Sequence, residues 1–131
     1  MKPKILIVTA RYYKDFSKHL EFYASAVLNN KAKYKFVSVP GVFEIPVVIS
    51  KNIKKYDAFL ALGCVIKGET PHFDLISQAT INAIMKLSVE NNKPIGNGII
   101  TCLNKEQAIV RSKTKGQEAA KAVLSVLGFK I

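Results

Sequence analysis

Cysteine and histidine are scarce in this chain, at two each among 131 residues, and no two of Cys64, Cys102, His19 and His72 are sequence neighbours. That spacing contains no CxxC or other chelating pattern, so no metal site is expected, and two free thiols suit a reducing compartment. Long apolar runs are missing too, since nothing approaches the roughly 20 residues of a membrane-spanning helix. The opening KILIVTA has the flavour of a signal-peptide core but is too short and runs straight into RYYKD. A cytoplasmic protein with no membrane partner is therefore the expectation. Arginine is the third shortage: Arg11 and Arg111 are the only two among 20 cations. The net charge of +11 invites a nucleic-acid reading. Base reading, however, favours the arginine fork, and the lysines are scattered, with KAKYK their densest cluster. A solvated, lysine-rich surface accounts for the charge, and no nucleic-acid partner is expected. Internal repeats, low-complexity tracts and linkers are absent, and the length suits one domain over 1–131.

Hydrophobic residues make up 49% of the chain, ample for a packed interior. Four segments read as buried strands: 4–10, 34–40, 57–63 and 94–101. Continuous apolar runs of this kind suit a parallel sheet covered on both faces. Helical periodicity fills the intervals at 15–30, 43–55, 72–91 and 105–127, with a break expected near 113–116. This alternation predicts an α/β fold: a three-layer α/β/α sandwich on a four-stranded parallel sheet, of flavodoxin-like type. Ligands of such folds gather at the carboxyl ends of the strands. Those ends are Ala10–Tyr13, Pro40–Glu44, Gly63–His72 and Gly98–Asn104.

The third of these ends carries the most chemistry. Residues 61–74 read ALGCVIKGETPHFD. Thr70 followed by Pro71 is a helix start, because a threonine oxygen caps free amides and proline at the first helical position loses no needed N–H. Gly68 allows close backbone approach or a positive φ. A glycine-bearing turn at a helix N-terminus is a ready anion site, though an ordinary turn needing a glycine reads the same way. Lys67 adds a positive charge nearby. His72, placed at the second helical position, suits a proton shuttle beside an anion; a surface histidine without a role is the plainer reading. Glu69 and Asp74 read as charge matching at the helix start.

At the second end, VPGVFEIPVV offers exposed backbone at Gly41, a flat ring at Phe43 and a carboxylate at Glu44. The trio suits a polyol-bearing ring, although a core Phe and a surface Glu share the pattern. At the first end, Tyr12 or Tyr13 could stack on a planar ligand. At the fourth, Asn104 and Gln107 form a capping box. Arg111 lies one turn beyond Gln107, either as a guanidinium fork for phosphate or as an ion-pair partner of Glu106 or Glu118.

Together these stretches resemble the lumazine synthase family. PGVFEIP is similar to that family's PGAFEIP, and ALGCVIKGETPHFD to its ALGxVIRGxTxHFD. NGIIT followed by EQA resembles its GVLT…EQA, and KGQEAA its KGxEAA, in order over nearly the whole chain. The resemblance implies condensation of 5-amino-6-(D-ribitylamino)uracil with 3,4-dihydroxy-2-butanone 4-phosphate. The products would be 6,7-dimethyl-8-ribityllumazine, phosphate and water, formed with no cofactor. It further implies that Tyr12 stacks on the pyrimidine, while Val42, Phe43 and Glu44 hold the ribityl chain. Cys64, Val65 and Ile66 would line the pyrimidine edge, Gly68, Glu69 and Thr70 would cradle phosphate, and His72 would move protons. Asn97, Arg111 and Lys115 would come from a neighbouring subunit in a homo-oligomer, at least a pentamer. Several positions depart from the family pattern: Lys67 for arginine, Tyr12 for Phe or Trp, Tyr13 for Asn, and Asn97 for an aromatic. The RSKTKGQEAA loop is short, and an N-terminal arm that pairs with a neighbour is lacking, so a pentamer is expected over a sixty-subunit shell. An archaeal-type riboflavin synthase or a flavin- or lumazine-binding module without catalysis are the alternatives.

Overall fold

A computed structural model describes residues 1–68 and 71–130. Four parallel strands form one sheet: β1 (Lys4–Ala10), β2 (Lys33–Val39), β3 (Ala58–Ile66) and β4 (Ile95–Cys102), in the order β2-β1-β3-β4. Four α-helices connect or follow them: α1 (Lys14–Leu28), α2 (Ile45–Lys51), α3 (His72–Asn91) and α4 (Lys105–Val126). A single 3-10 turn over Val42–Glu44 leads into α2. This is the three-layer, flavodoxin-like arrangement that the strand-helix alternation predicts.

The apolar runs are continuous because both faces of the central strands are covered. Ile5, Ile7, Leu60 and Leu62 point into one core with Leu20, Ala24 and Leu28 of α1 and Ala120, Val123 and Leu124 of α4. Leu6, Val8, Phe59 and Ala61 point the other way, onto Ile45 and Ile49 of α2 and Ile84 of α3. Each large side chain fully buried in this way contributes roughly 1.5–3 kcal/mol. None of the described helices is long and apolar enough to cross a membrane.

Two expectations need correction. Segment 34–40 is a strand but not a buried one: in β2 only Val39 is buried, while Lys33, Lys35, Phe36 and Ser38 are exposed. Its edge position and the shortness of α2 leave its first half uncovered. The break expected near 113–116 does not occur either, since α4 runs unbroken across it. Gly116 serves packing instead. A Cβ built there would stand 2.4 Å from the Leu20 carbonyl oxygen and 3.2 Å from the Ala24 nitrogen. The missing side chain lets α4 lie directly on the backbone of α1. The third strand also runs three residues beyond the expected 63, to Ile66.

Gly116→Leu should therefore push the two helices apart. A destabilisation of about 1–3 kcal/mol is expected, despite a helix-propensity gain of up to about 1 kcal/mol. Lys121→Ala, on the exposed side of the same helix, should stay within about 0.5 kcal/mol. Superimposable urea melts for Gly116→Leu and the parent would refute this account of the glycine.

Candidate active site

The carboxyl ends of β1 and β3, the 3-10 turn and the start of α3 enclose a cleft of about 560 Å³. Its depth depends on Gly63. A Cβ there would fall 2.6 Å from Val42 Cγ1 and 3.1 Å from Ala10 Cβ, so glycine lets the turn settle onto the strand ends. Val42 is thereby buried, while the next residue, Phe43, is 60% exposed and lines the cleft. That exposure rules out a core role for the ring. Glu44 turns back on its own loop, where Oε1 accepts the Gly41 N–H at 2.9 Å. A carboxylate has about four lone-pair directions, so it can still accept from a ligand hydroxyl.

On the β1 side, Tyr12 is exposed and meets Tyr13 edge-to-face at 4.9 Å between ring centres. Tyr13 is half-buried and lines the cleft. Burial pushes its phenol up from the ordinary value, with smaller contributions from Tyr12 and Cys64, so it remains a hydroxyl donor near neutral pH. From β3 come Cys64, Val65 and Ile66, followed by Gly68. Gly68 does not adopt a positive φ, and among the described residues a Cβ there would meet nothing within 4 Å. The conformational reason for this glycine thus falls away, leaving close backbone approach to a ligand. Glu69 and Thr70, expected beside it, lie outside the described residues. His72 is the first residue of α3 with Pro71 before it, one position earlier in the helix than the Thr-Pro pattern suggests, and its side chain lines the cleft.

Nine expected site residues therefore meet in one cleft: Tyr12, Val42, Phe43, Glu44, Cys64, Val65, Ile66, Gly68 and His72. Tyr13, Gly41, Phe73 and Ile76 also line it. Ile76 was hidden in the apolar stripe of α3, which uses it for packing and lining at once. Phe73 had a signal, since one residue after the helix start its ring shares the first turn with His72.

Three expected residues lie away from the cleft of their own chain. Asn97 is exposed midway along β4, with Oδ1 accepting the Ile99 N–H at 3.1 Å. Lys115 is half-buried on α4. Arg111 is exposed on α4 and donates from Nη1 to the Thr101 carbonyl at 2.7 Å, instead of pairing with Glu106 or Glu118. The Asn104 cap beneath it forms as expected, with Oδ1 accepting Gln107 N–H at 2.9 Å. The return bond shifts by one residue, because Gln107 Oε1 accepts from Leu103 N–H at 2.8 Å. The other arginine is committed to structure. Arg11 bonds Ser38 Oγ at 2.8 Å and pairs with Glu21 at 3.2 Å, joining β1, β2 and α1.

Cys64 and Cys102 sit together in a small buried cluster with Ile100 and Ala108. Burial raises the Cys64 thiol to about 12, helped by Cys102 and opposed by Arg111. A thiol held neutral in this way is no nucleophile at physiological pH.

An α/β fold with an aromatic-walled cleft at its strand ends, a carboxylate on one rim and a histidine at a helix start is the architecture of a small-molecule enzyme. A family model described as 6,7-dimethyl-8-ribityllumazine synthase matches residues 2–130, and the chain belongs to that family. Two similar proteins bear this name. One, from Bartonella tribocorum, is 42% identical over 137 residues, covering 98% of this chain and 91% of the relative. The other, from Agrobacterium fabrum, is 43% identical over 141 residues, covering 98% and 95%. A third, from Rhodopseudomonas palustris and named 6,7-dimethyl-8-ribityllumazine synthase 1, is 42% identical over 139 residues, covering 97% and 85%.

The raised Cys64 thiol has a signed consequence for stability. Between the ordinary thiol value of 9.0 and about 12, the unfolded chain has released this proton while the folded chain retains it. The unfolded state then binds fewer protons, so stability falls as pH rises through that window. Cys64→Ala should show a shallower fall above pH 9 than the parent in denaturant melts. Identical slopes would contradict the burial argument.

Proposed function

We propose that the whole chain, residues 1–131, works as one domain. In the cytoplasm it condenses 5-amino-6-(D-ribitylamino)uracil with 3,4-dihydroxy-2-butanone 4-phosphate to 6,7-dimethyl-8-ribityllumazine. The observation that carries this reading is the placement of exposed Phe43 and Tyr12 rings, the Glu44 carboxylate and His72 around one cleft, in a chain of this family. Tyr12 stacks on the pyrimidine and Phe43 packs on the ribityl chain, whose hydroxyls donate to Glu44. The backbone of Cys64, Val65 and Ile66 borders the ring. The phosphate lies at Gly68, Glu69 and Thr70.

The amine of one substrate attacks the ketone of the other, water leaves to give an imine, and phosphate is then eliminated. The second amine closes the ring with loss of another water. Protons must move at each step, and the His72 imidazole at the start of α3 carries them. Holding both substrates in one cleft replaces a two-body encounter with a local one, which accounts for much of the acceleration. No metal or organic cofactor enters this chemistry.

The cleft lacks a cation of its own. Among its described lining residues none is Lys or Arg, and Lys67 lies outside that lining. A phosphate dianion there needs opposite charge nearby. Arg111 and Lys115, with Asn97, supply the second half of the site from an adjacent subunit, and the active form is a homo-oligomer, a pentamer at least.

The two pure substrates should give the yellow, green-fluorescent lumazine. His72→Asn should slow turnover about 10²–10⁴-fold without abolishing it, as expected for the loss of general acid–base help. Unchanged turnover in the His72→Asn protein would remove the proton-shuttle role.

The shared site can be tested by complementation. Gly68→Asp places a carboxylate in the phosphate nest, and Arg111→Ala removes the neighbour's fork. Each variant alone should be nearly inactive. In rings assembled from equal amounts, a site is restored when an Arg111→Ala nest meets a Gly68→Asp fork, which happens at about a quarter of sites. Mixed rings as inactive as the separate variants would refute the composite site.

A further inference from the structure

At the opposite pole of the sheet, α2 ends at Lys51, and Lys4 at the start of β1 and Lys33 and Lys35 of β2 are exposed. The result is a notch of about 370 Å³ lined by Lys4, Lys33, Lys35 and Lys55 with Tyr34 and Tyr56. Lys4 and Lys33 are direct cross-strand partners. Lys35, two residues further, falls on the same side of β2, the side on which Val37 and Val39 pack toward α2. Like charges set directly opposite one another destabilise a sheet. Among the described residues, ion pairs join Arg11 to Glu21 and Lys86 to Glu90, and neither includes a notch lysine. Asp57, beside the notch, is turned to the main chain, where Oδ2 accepts the Lys4 N–H at 2.8 Å.

We infer that this notch is a second binding site, for a short oligophosphate, either free or as the tail of a nucleotide. Four lysines lining one concavity match several linked phosphoryl groups better than a single anion, and lysine meets phosphate as a point charge. The bound anion relieves the repulsion between Lys4 and Lys33. Because the notch lies at the amino ends of the strands and the catalytic cleft at the carboxyl ends, the site is independent of the reading of that cleft.

Calorimetric titration at low salt with tripolyphosphate, ATP and orthophosphate tests this directly. Tripolyphosphate should bind saturably, one per chain, and more tightly than orthophosphate. Lys33→Gln/Lys35→Gln should weaken it roughly tenfold or more. Lys86→Gln/Lys121→Gln, with the same change in net charge, should shift it less than about twofold. Lumazine formation should be unaffected in the Lys33→Gln/Lys35→Gln protein. Its melting temperature should hold or rise, since a like-charge contact is relieved, and Lys4→Gln/Lys55→Gln serves as a second variant. Tighter binding of ATP than tripolyphosphate supports a nucleotide as the source, and equal binding supports the phosphate chain alone. Equal weakening by the notch and control variants would reduce the effect to net charge and overturn the inference. Loss of binding in Arg111→Ala with retention in the notch variants would move the anion to the catalytic cleft and overturn it equally. Orthophosphate binding as tightly as tripolyphosphate would also overturn it.

Discussion

The rest of the molecule depends on the parallel pairing of β1 with β3. Ile5 to Thr9 run in register with Ala58 to Leu62, and the large side chains along this pair are buried on both sides. Parallel neighbours cannot be joined by a tight turn, so each strand must be followed by a crossover that covers a face. Both cores and the gathering of strand ends at one pole follow from that constraint. Nothing in the cleft would be adjacent if either central strand slipped by a residue, because every side chain would change face.

From that pole the chemistry is assembled by small residues as much as by reactive ones. Gly63 brings the turn carrying Phe43 and Glu44 down against Ala10, and the turn is held by the Glu44–Gly41 hydrogen bond. The side chains expected to meet substrate are largely exposed at the rim, while the Cys64 thiol is withdrawn beneath them. The cleft is thus a firm floor with a partial wall. Among the described lining residues none is Lys or Arg, and that is what ties the proposed chemistry to the proposed assembly.

Much of this was legible from residue order alone, and the exceptions have physical causes. The strands at 4–10 and 57–63 announced themselves because burial on both faces demands unbroken apolar runs. Segment 34–40 carries a similar run, but residue type does not reveal that α2 is too short to cover it. Gly116 reads as a helix break, since a glycine's conformational freedom and its lack of volume leave the same mark in a sequence. Tyr12, Phe43, Glu44, Gly68 and His72 stood out because they sit at strand ends, where topology brings side chains together, whereas Val42, Cys64, Val65 and Ile66 were named only by the family resemblance. Ile76 escaped because packing and lining use the same side chain. Arg111 was singled out by its rarity, and among the described residues of its own chain it bonds the Thr101 carbonyl.

The cap of α4 sets more than a helix boundary. Asn104 fixes where α4 begins, and each residue of an α-helix turns the next side chain by about 100°. The seven positions from Asn104 to Arg111 therefore act as a ruler. An insertion or deletion inside that interval would swing the guanidinium to another side of the helix. Only Leu103 and Asn104 separate the end of β4 at Cys102 from the start of α4, so the reach of the guanidinium is tied to the strand end through a single asparagine oxygen.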